Sequence, residues 1–229
     1  MSQNIEQMFS RIAGTYDQAN HSLSFNKDIQ WRKDSVKQLT RDGFSPRQVL
    51  DLCAGTGDFA LAVKEQLPQA QVVLADFSKP MLSLAKNKIG STGGYAILAA
   101  DALKLPVQDM AFEAVVCGFG VRNLDSVETG LREIARVLKP GGKAVILDFF
   151  RPTGFITQLV YAFYVGTIVP MRGGIISKDK AAYHYLQESA RKFVSVDEFK
   201  ALMEKNGFKN VESEMKTMGI AASVVGVRK

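Results

Sequence analysis

A chain of 229 residues, 46% hydrophobic and 23% charged, has the make-up of an ordinary water-soluble globular domain with a sizeable core. Two cysteines exclude a disulfide framework and fit a reducing compartment, and two histidines far apart in sequence argue against a zinc site of nitrogen and sulfur ligands. The net charge of +6 gathers toward the two ends with no basic, aromatic-laced stripe, which argues against nucleic acid and leaves a solvated face or attraction to an anionic membrane surface.

The polar start, Met1 to Gln7, has no apolar run of the kind a signal peptide carries, and no later run is long enough to span a bilayer. The first 45 residues pattern as helix, with Phe25, Ile29, Trp31, Val36 and Leu39 on one side of a stretch from Ser24 to Thr40. Asp42-Gly43 and Ser45-Pro46 end it. Strands and helices then alternate. Strands are expected at Gln48–Leu52, Gln71–Ala75, Tyr95–Ala99, Phe112–Cys117 and Lys143–Phe149, and helices at Phe59–Leu67, Lys79–Ile89 and Ser126–Leu138. Nearly continuous apolar strands alternating with helices imply a parallel sheet covered on both faces. After Phe150 come an apolar helical segment, Gly154–Ile168, and helices at Lys178–Arg191 and Val196–Asn206. Ser195 and Glu198 form a capping-box pair before the last of these, and Phe208–Val227 divides around Gly219 into two terminal strands.

The chemistry concentrates where strands end. Asp51-Leu52-Cys53-Ala54-Gly55-Thr56-Gly57-Asp58 lies on the first strand-to-helix turn. Its glycines allow a ligand to approach the backbone, but the third glycine of a dinucleotide loop is missing and an acid follows at once. That disfavours a pyrophosphate and suits a cationic or zwitterionic ligand such as S-adenosylmethionine. Asp76 ends the second strand, 21 positions after Gly55, where a carboxylate accepts ribose hydroxyls or caps the next helix. Ala100-Asp101-Ala102 follows the third strand, where an acid can meet an adenine amino group. Each feature alone has a plainer reading as a tight turn or a cap; three in order at one sheet edge point to a nucleoside-containing ligand.

The chain resembles the class I S-adenosylmethionine-dependent methyltransferases, and more closely the ubiquinone/menaquinone C-methyltransferase family. The likeness rests on Tyr16-Asp17-Gln18-Ala19-Asn20-His21-Ser22-Leu23-Ser24-Phe25 with Trp31, and on Gly118-Phe119-Gly120-Val121-Arg122-Asn123. It continues through Arg136-Val137-Leu138-Lys139-Pro140-Gly141-Gly142 with Asp148-Phe149, and Tyr183-His184-Tyr185-Leu186-Gln187-Glu188-Ser189. It departs at Ala19, Asp28, Asp148 and Phe150, where the pattern commonly has Met, His, Glu and Ser.

The resemblance implies a Rossmann-like α/β domain over residues 1–229 with a mainly parallel seven-stranded sheet. Within it lie a helical cap (1–45), a cofactor-binding core (46–150), an apolar helical substrate insertion (151–193) and a C-terminal helix with two strands (194–229). It implies S-adenosylmethionine held by Asp51, Gly55, Thr56, Gly57, Asp76, Phe77, Asp101, Ala102 and Gly118, with no metal. It also implies methylation of a prenylated demethylquinol. Arg122 would stabilise the phenolate, Tyr16 and Asn123 would hold ring hydroxyls, and Asp148 would accept a proton or simply pair with Arg122. The segment Phe155 to Val169 would line a groove for the prenyl tail and touch the bilayer, with a homodimer contact or plain core as the competing uses. A cytoplasmic, peripherally membrane-bound enzyme is expected. Other lipid-like or phenolic acceptors, a nicotinamide oxidoreductase and RNA methylation are the alternative activities.

Overall fold

In the computed structural model, which describes residues 3–90, 92–168, 185 and 188–229, seven strands form one sheet in the order β3-β2-β1-β4-β5-β7-β6. They are β1 (Gln48–Leu52), β2 (Gln71–Asp76), β3 (Tyr95–Ala99), β4 (Phe112–Gly118), β5 (Leu138–Asp148), β6 (Phe208–Lys216) and β7 (Ala221–Arg228). The first five pair in parallel, and β7 lies antiparallel between β5 and β6.

The apolar runs are near-continuous because both faces are buried. Along β1, Leu50 and Leu52 enter one core and Val49 the other. Along β4, Val115 and Cys117 join the first core and Ala114 and Val116 the second. Helices α5 (Val127–Val137) and α7 (Val196–Lys205) cover the first face through Leu131, Ile134, Phe199 and Met203. Helices α2 (Lys27–Leu39), α3 (Asp58–Gln66) and α4 (Lys79–Ile89) cover the second through Val36, Leu39, Phe59, Val63 and Ala85. The caps follow the sequence. Ser126 accepts from Thr129 N, and Ser195 with Glu198 completes a capping box.

Three local features differ from the sequence expectation. The N-terminal helical region is two helices, α1 (Gln3–Leu23) and α2, because Phe25 and Asn26 take left-handed backbones with φ of 56° and 61°. Strand β5 begins at Leu138: Phe112 pairs with Leu138 and Ala114 with Lys143, so Lys139-Pro140-Gly141-Gly142 bulges from the ladder where a turn was expected. The apolar segment after Gly154 forms helix α6 (Phe155–Phe163) and then a π-helical turn, Tyr164–Ile168. Most of the helix expected over Lys178–Arg191 lies outside the described residues.

Candidate active site

The order of strands reverses direction between β1 and β4, so the loops that follow them splay apart and leave a crevice at their carboxyl ends. Two adjoining clefts occupy this edge. The smaller, of about 360 Å³, is lined by Cys53, Gly55, Asp76, Phe77, Met81, Gly118, Gly120 and Asn123. The larger encloses about 800 Å³ between α1, α2 and the ends of β4 and β5. Phe9, Tyr16 and Phe119 belong to the walls of both, so the two clefts meet there.

The glycine loop is held from beneath. Asp51 accepts from Ala60 N at 2.9 Å, pinning the first turn of α3 to β1. Its other oxygen, Oδ1, is buried without a partner among the described residues, and burial pushes the carboxyl up to about 8. Gly55 and Gly57 are left-handed, with φ of 54° and 87°. A Cβ on Gly57 would stand 3.0 Å from Leu74 Cδ2, so that position also needs its small size. Asp76 clamps the loop from the side, accepting from Gly55 N at 2.9 Å and from Ser78 N at 2.8 Å. Ser78, not Asp76, caps α4. Burial raises the Asp76 pKa, against the pull of these backbone donors.

The predicted cofactor residues therefore separate. Gly55, Asp76, Phe77 and Gly118 line the smaller cleft, while Asp51, Thr56 and Gly57 build the loop behind it. Asp101 is exposed and accepts from Leu103 N, and neither it nor Ala102 lines a cleft. Phe9, Cys53, Met81 and Gly120 were not singled out from sequence. Gly120 carried a signal in its segment: a Cβ there would meet Cys53 Cβ at 2.4 Å. A wall of glycine backbone, apolar and aromatic side chains and one carboxylate suits a flat nucleoside carrying a zwitterionic arm.

The larger cleft is lined mainly by apolar and aromatic side chains, with Asp28 and Arg122 as its charged members. Arg122 follows β4 in a short 3-10 turn, and its Nη1 donates to Asp148 Oδ1 at 2.6 Å and to Phe119 O at 2.7 Å. Its guanidinium lies 5.4 Å from the centre of the Phe149 ring. Burial opposes the charge, but Asp148 together with Tyr16 and Tyr185 holds the pKa above the ordinary arginine value. Asp148 is wholly buried and also accepts from Arg122 N and Phe149 N. It pairs with the guanidinium and is not among the residues that line the cleft. Tyr16 faces both clefts, its phenol pKa raised by burial. Asn123 donates to Phe119 O and accepts from Tyr185 OH at 2.9 Å, so its amide is already engaged when it meets a ligand.

Charged groups fasten α1 over this edge. Asp17 accepts from Thr56 Oγ1 at 2.5 Å and from Lys88 Nζ at 2.6 Å, and Lys88 also pairs with Asp58 at 2.6 Å. His21, Asp28 and Asp58 come close enough to hold a metal ion. However, Arg32 already occupies Asp28 at 2.6 Å and Lys88 occupies Asp58, so the cluster is an ion-pair network.

Fold and site together define a Rossmann-like S-adenosylmethionine-dependent methyltransferase. A solved methyltransferase of Thermotoga maritima, described as S-adenosylmethionine-dependent and a possible histamine N-methyltransferase, superposes with a TM-score of 0.69. It covers 97% of this chain and 99% of its own, at 21% sequence identity. The model of the ubiE/COQ5 methyltransferase family matches residues 1–228, and the chain belongs to that family. A demethylmenaquinone methyltransferase of Thermus thermophilus is 45% identical over 222 residues, spanning 96% of this chain and 100% of its own. A ubiquinone/menaquinone biosynthesis C-methyltransferase of Geobacter sulfurreducens is 38% identical over 228 residues, spanning 98% of this chain and 88% of its own.

Proposed function

We propose that the protein methylates a ring carbon of a prenylated demethylquinol, converting demethylmenaquinol to menaquinol. The observation that carries this reading is the pair of joined clefts: a smaller one at the sheet edge, walled by glycine and Asp76, and a larger, mainly apolar one with the buried Arg122 in its wall. S-adenosylmethionine supplies, when bound, a methyl group on a positively charged sulfur; the ring carbon gains that methyl and loses its hydrogen as a proton. Gly55, Phe77, Met81 and Gly118 would hold the donor, with Asp76 toward its ribose.

The protein's own groups prepare the acceptor. A quinol with one ionised hydroxyl carries negative charge onto its ring carbons. Arg122 remains protonated at any working pH and stabilises that oxygen where water is scarce. Asp148 keeps the guanidinium aimed by pairing with it. Phe9, Ile12, Leu23 and Trp31 receive the apolar body of the acceptor and its tail.

The acceptor's tail anchors it in a bilayer, and α6 offers a way to reach it. Phe155, Leu159 and Phe163 are exposed on α6, and Met215 and Met218 are exposed at the end of β6 and in the β6–β7 turn. A Cβ on Gly219 of that turn would lie 2.8 Å from Thr157 Cγ2, which shows how closely turn and helix pack. This ridge makes the peripheral membrane contact.

The test is methyl transfer from labelled S-adenosylmethionine to a short-chain demethylmenaquinol kept reduced, run beside the matching demethylated benzoquinol. Label on the ring carbon of the naphthoquinol supports the reading. Donor binding with neither quinol labelled overturns it.

A further inference from the structure

Trp31 is the only tryptophan of the chain, and it is buried in the wall of the larger cleft. Its ring packs on two other wall residues, Phe119 with centroids 6.4 Å away and Phe149 at 6.5 Å. Phe119 and Phe149 stand 4.8 Å from each other, so the three rings form one aromatic section of that wall. Ring packing is weakly directional, whereas a hydrogen bond is not, so the orientation of the indole turns on its single N–H.

That N–H donates to Thr217 Oγ1 at 3.0 Å, a partner 186 positions away in sequence. Thr217 belongs to the β6–β7 turn, whose backbone is unusual. Thr217, Met218 and Gly219 are all left-handed, with φ of 42°, 53° and 87°. Glycine takes that conformation freely, but a β-branched residue there is an outlier, and such strain persists only where the surroundings hold it. Two contacts hold this turn. Ile220 donates its N–H to Thr217 O at 3.2 Å and lies in the same core cluster as Trp31 and Phe119. Gly219 packs against Thr157 of α6.

We infer that Thr217 is a positioning residue for the acceptor: its hydroxyl fixes the Trp31 indole in the cleft wall and so shapes the surface that receives the acceptor's apolar body. This rests on the quinol reading above. Thr217 is not among the residues that line the cleft and acts through Trp31. Met218, the next residue, is exposed in the ridge assigned to the membrane. One hydrogen bond therefore joins the turn that meets lipid to the wall that meets the acceptor.

The test is Thr217→Val, which keeps the branched shape and removes the hydroxyl, beside Thr217→Ser, which keeps the hydroxyl. In Thr217→Val the buried indole N–H loses its partner, so the thermal midpoint falls by about 2–4 °C. The kinetic effect is confined to the acceptor. KM for short-chain demethylmenaquinol rises about fivefold, while kcat and affinity for S-adenosylmethionine stay within about twofold. A second readout needs no turnover: with S-adenosylhomocysteine in place of the donor, quenching of Trp31 emission by the same quinol gives a dissociation constant, which rises by the same factor. Thr217→Ser restores both. Wild-type KM and quenching in Thr217→Val overturn the proposal, whatever the midpoint does. So do a fall in kcat or donor affinity with KM unchanged, and a Thr217→Ser that matches Thr217→Val, since each removes the hydroxyl's hold on the indole as the cause. Wild-type protein that labels no quinol defeats the quinol reading itself and this inference with it, a result distinct from a silent Thr217→Val.

Discussion

Arg122 and Asp148 show why a site residue and a structural residue are hard to separate by substitution alone. Arg122→Ala abolishes the guanidinium but also strands a buried carboxylate, at a cost of about 3–5 kcal/mol. The double variant Arg122→Met, Asp148→Leu removes both charges. It should regain most of the lost thermal midpoint yet remain at least tenfold below wild type in turnover, with donor affinity retained. Recovery of turnover along with stability would reduce Arg122 to a fold element. Asp51 gives a second prediction. Its pKa rises from an ordinary 3.8 to about 8, so the folded state takes up a proton between those values. The stability this group contributes is complete below about pH 4 and is lost as pH climbs through 8. Asp51→Asn keeps the acceptor for Ala60 N and removes that slope, so its midpoint should gain on wild type by about 2–4 °C between pH 5 and pH 8 for each kcal/mol recovered. A constant difference across that range would show Asp51 ionised throughout. At this scale the sequence exposes the carboxylates and Arg122, because charges after apolar strands stand out. It does not expose Phe9, since aromatics on an amphipathic helix look the same whether they line a cleft or fill a core. Asp101 stands after β3 as the sequence places it, exposed and accepting from Leu103 N in its own turn.

Among the elements, α1 is the one whose position depends least on apolar packing against the sheet. Its Phe9 and Tyr16 close both clefts, while Asp17, Lys88, Thr56 and Asp58 tie it to the glycine loop and α4. Ser10 adds a contact to Ser78 at 3.1 Å. These ties are partly solvated, with the Lys88 side chain 26% exposed, so together they are worth about 1 kcal/mol. Lys88→Met should therefore speed amide hydrogen exchange in α1 about fivefold and leave the sheet amides unchanged. Equal exchange in α1 would mean that apolar contacts alone hold it down. The alternation of strands and helices is legible because each apolar run is buried on two faces. The α1–α2 break is not, since left-handed Phe25 and Asn26 carry no glycine to announce it. The β5 bulge hides for a related reason: Pro140 and Gly141 read as a turn, and only pairing with Phe112 across the ladder makes Leu138 a strand residue.

Seen as a whole, the molecule places its reacting edge and its apolar ridge side by side. Strand ends build the clefts, α1 roofs them, and α6 runs from the cleft wall, where Tyr164 donates to Leu23 O, out to exposed Phe155. No helix among the described residues is long and apolar enough to cross a membrane. Phe155 is 82% exposed and Met218 71%, on a chain carrying net charge +6. Apolar side chains at that exposure cost little in water singly but add up when several enter a lipid interface, and the positive charge favours an anionic one. The prediction is that wild-type protein sediments with vesicles containing anionic lipid and that added salt weakens the binding. The variant Phe155→Ser, Leu159→Ser, Phe163→Ser should bind at least tenfold less while keeping its thermal midpoint, because these side chains touch solvent. It should also keep full turnover on a short-chain, water-dispersed quinol and lose it on a long-chain quinol embedded in vesicles. Loss on both acceptors would place the ridge inside the catalytic machinery, and loss on neither would leave it without a membrane role.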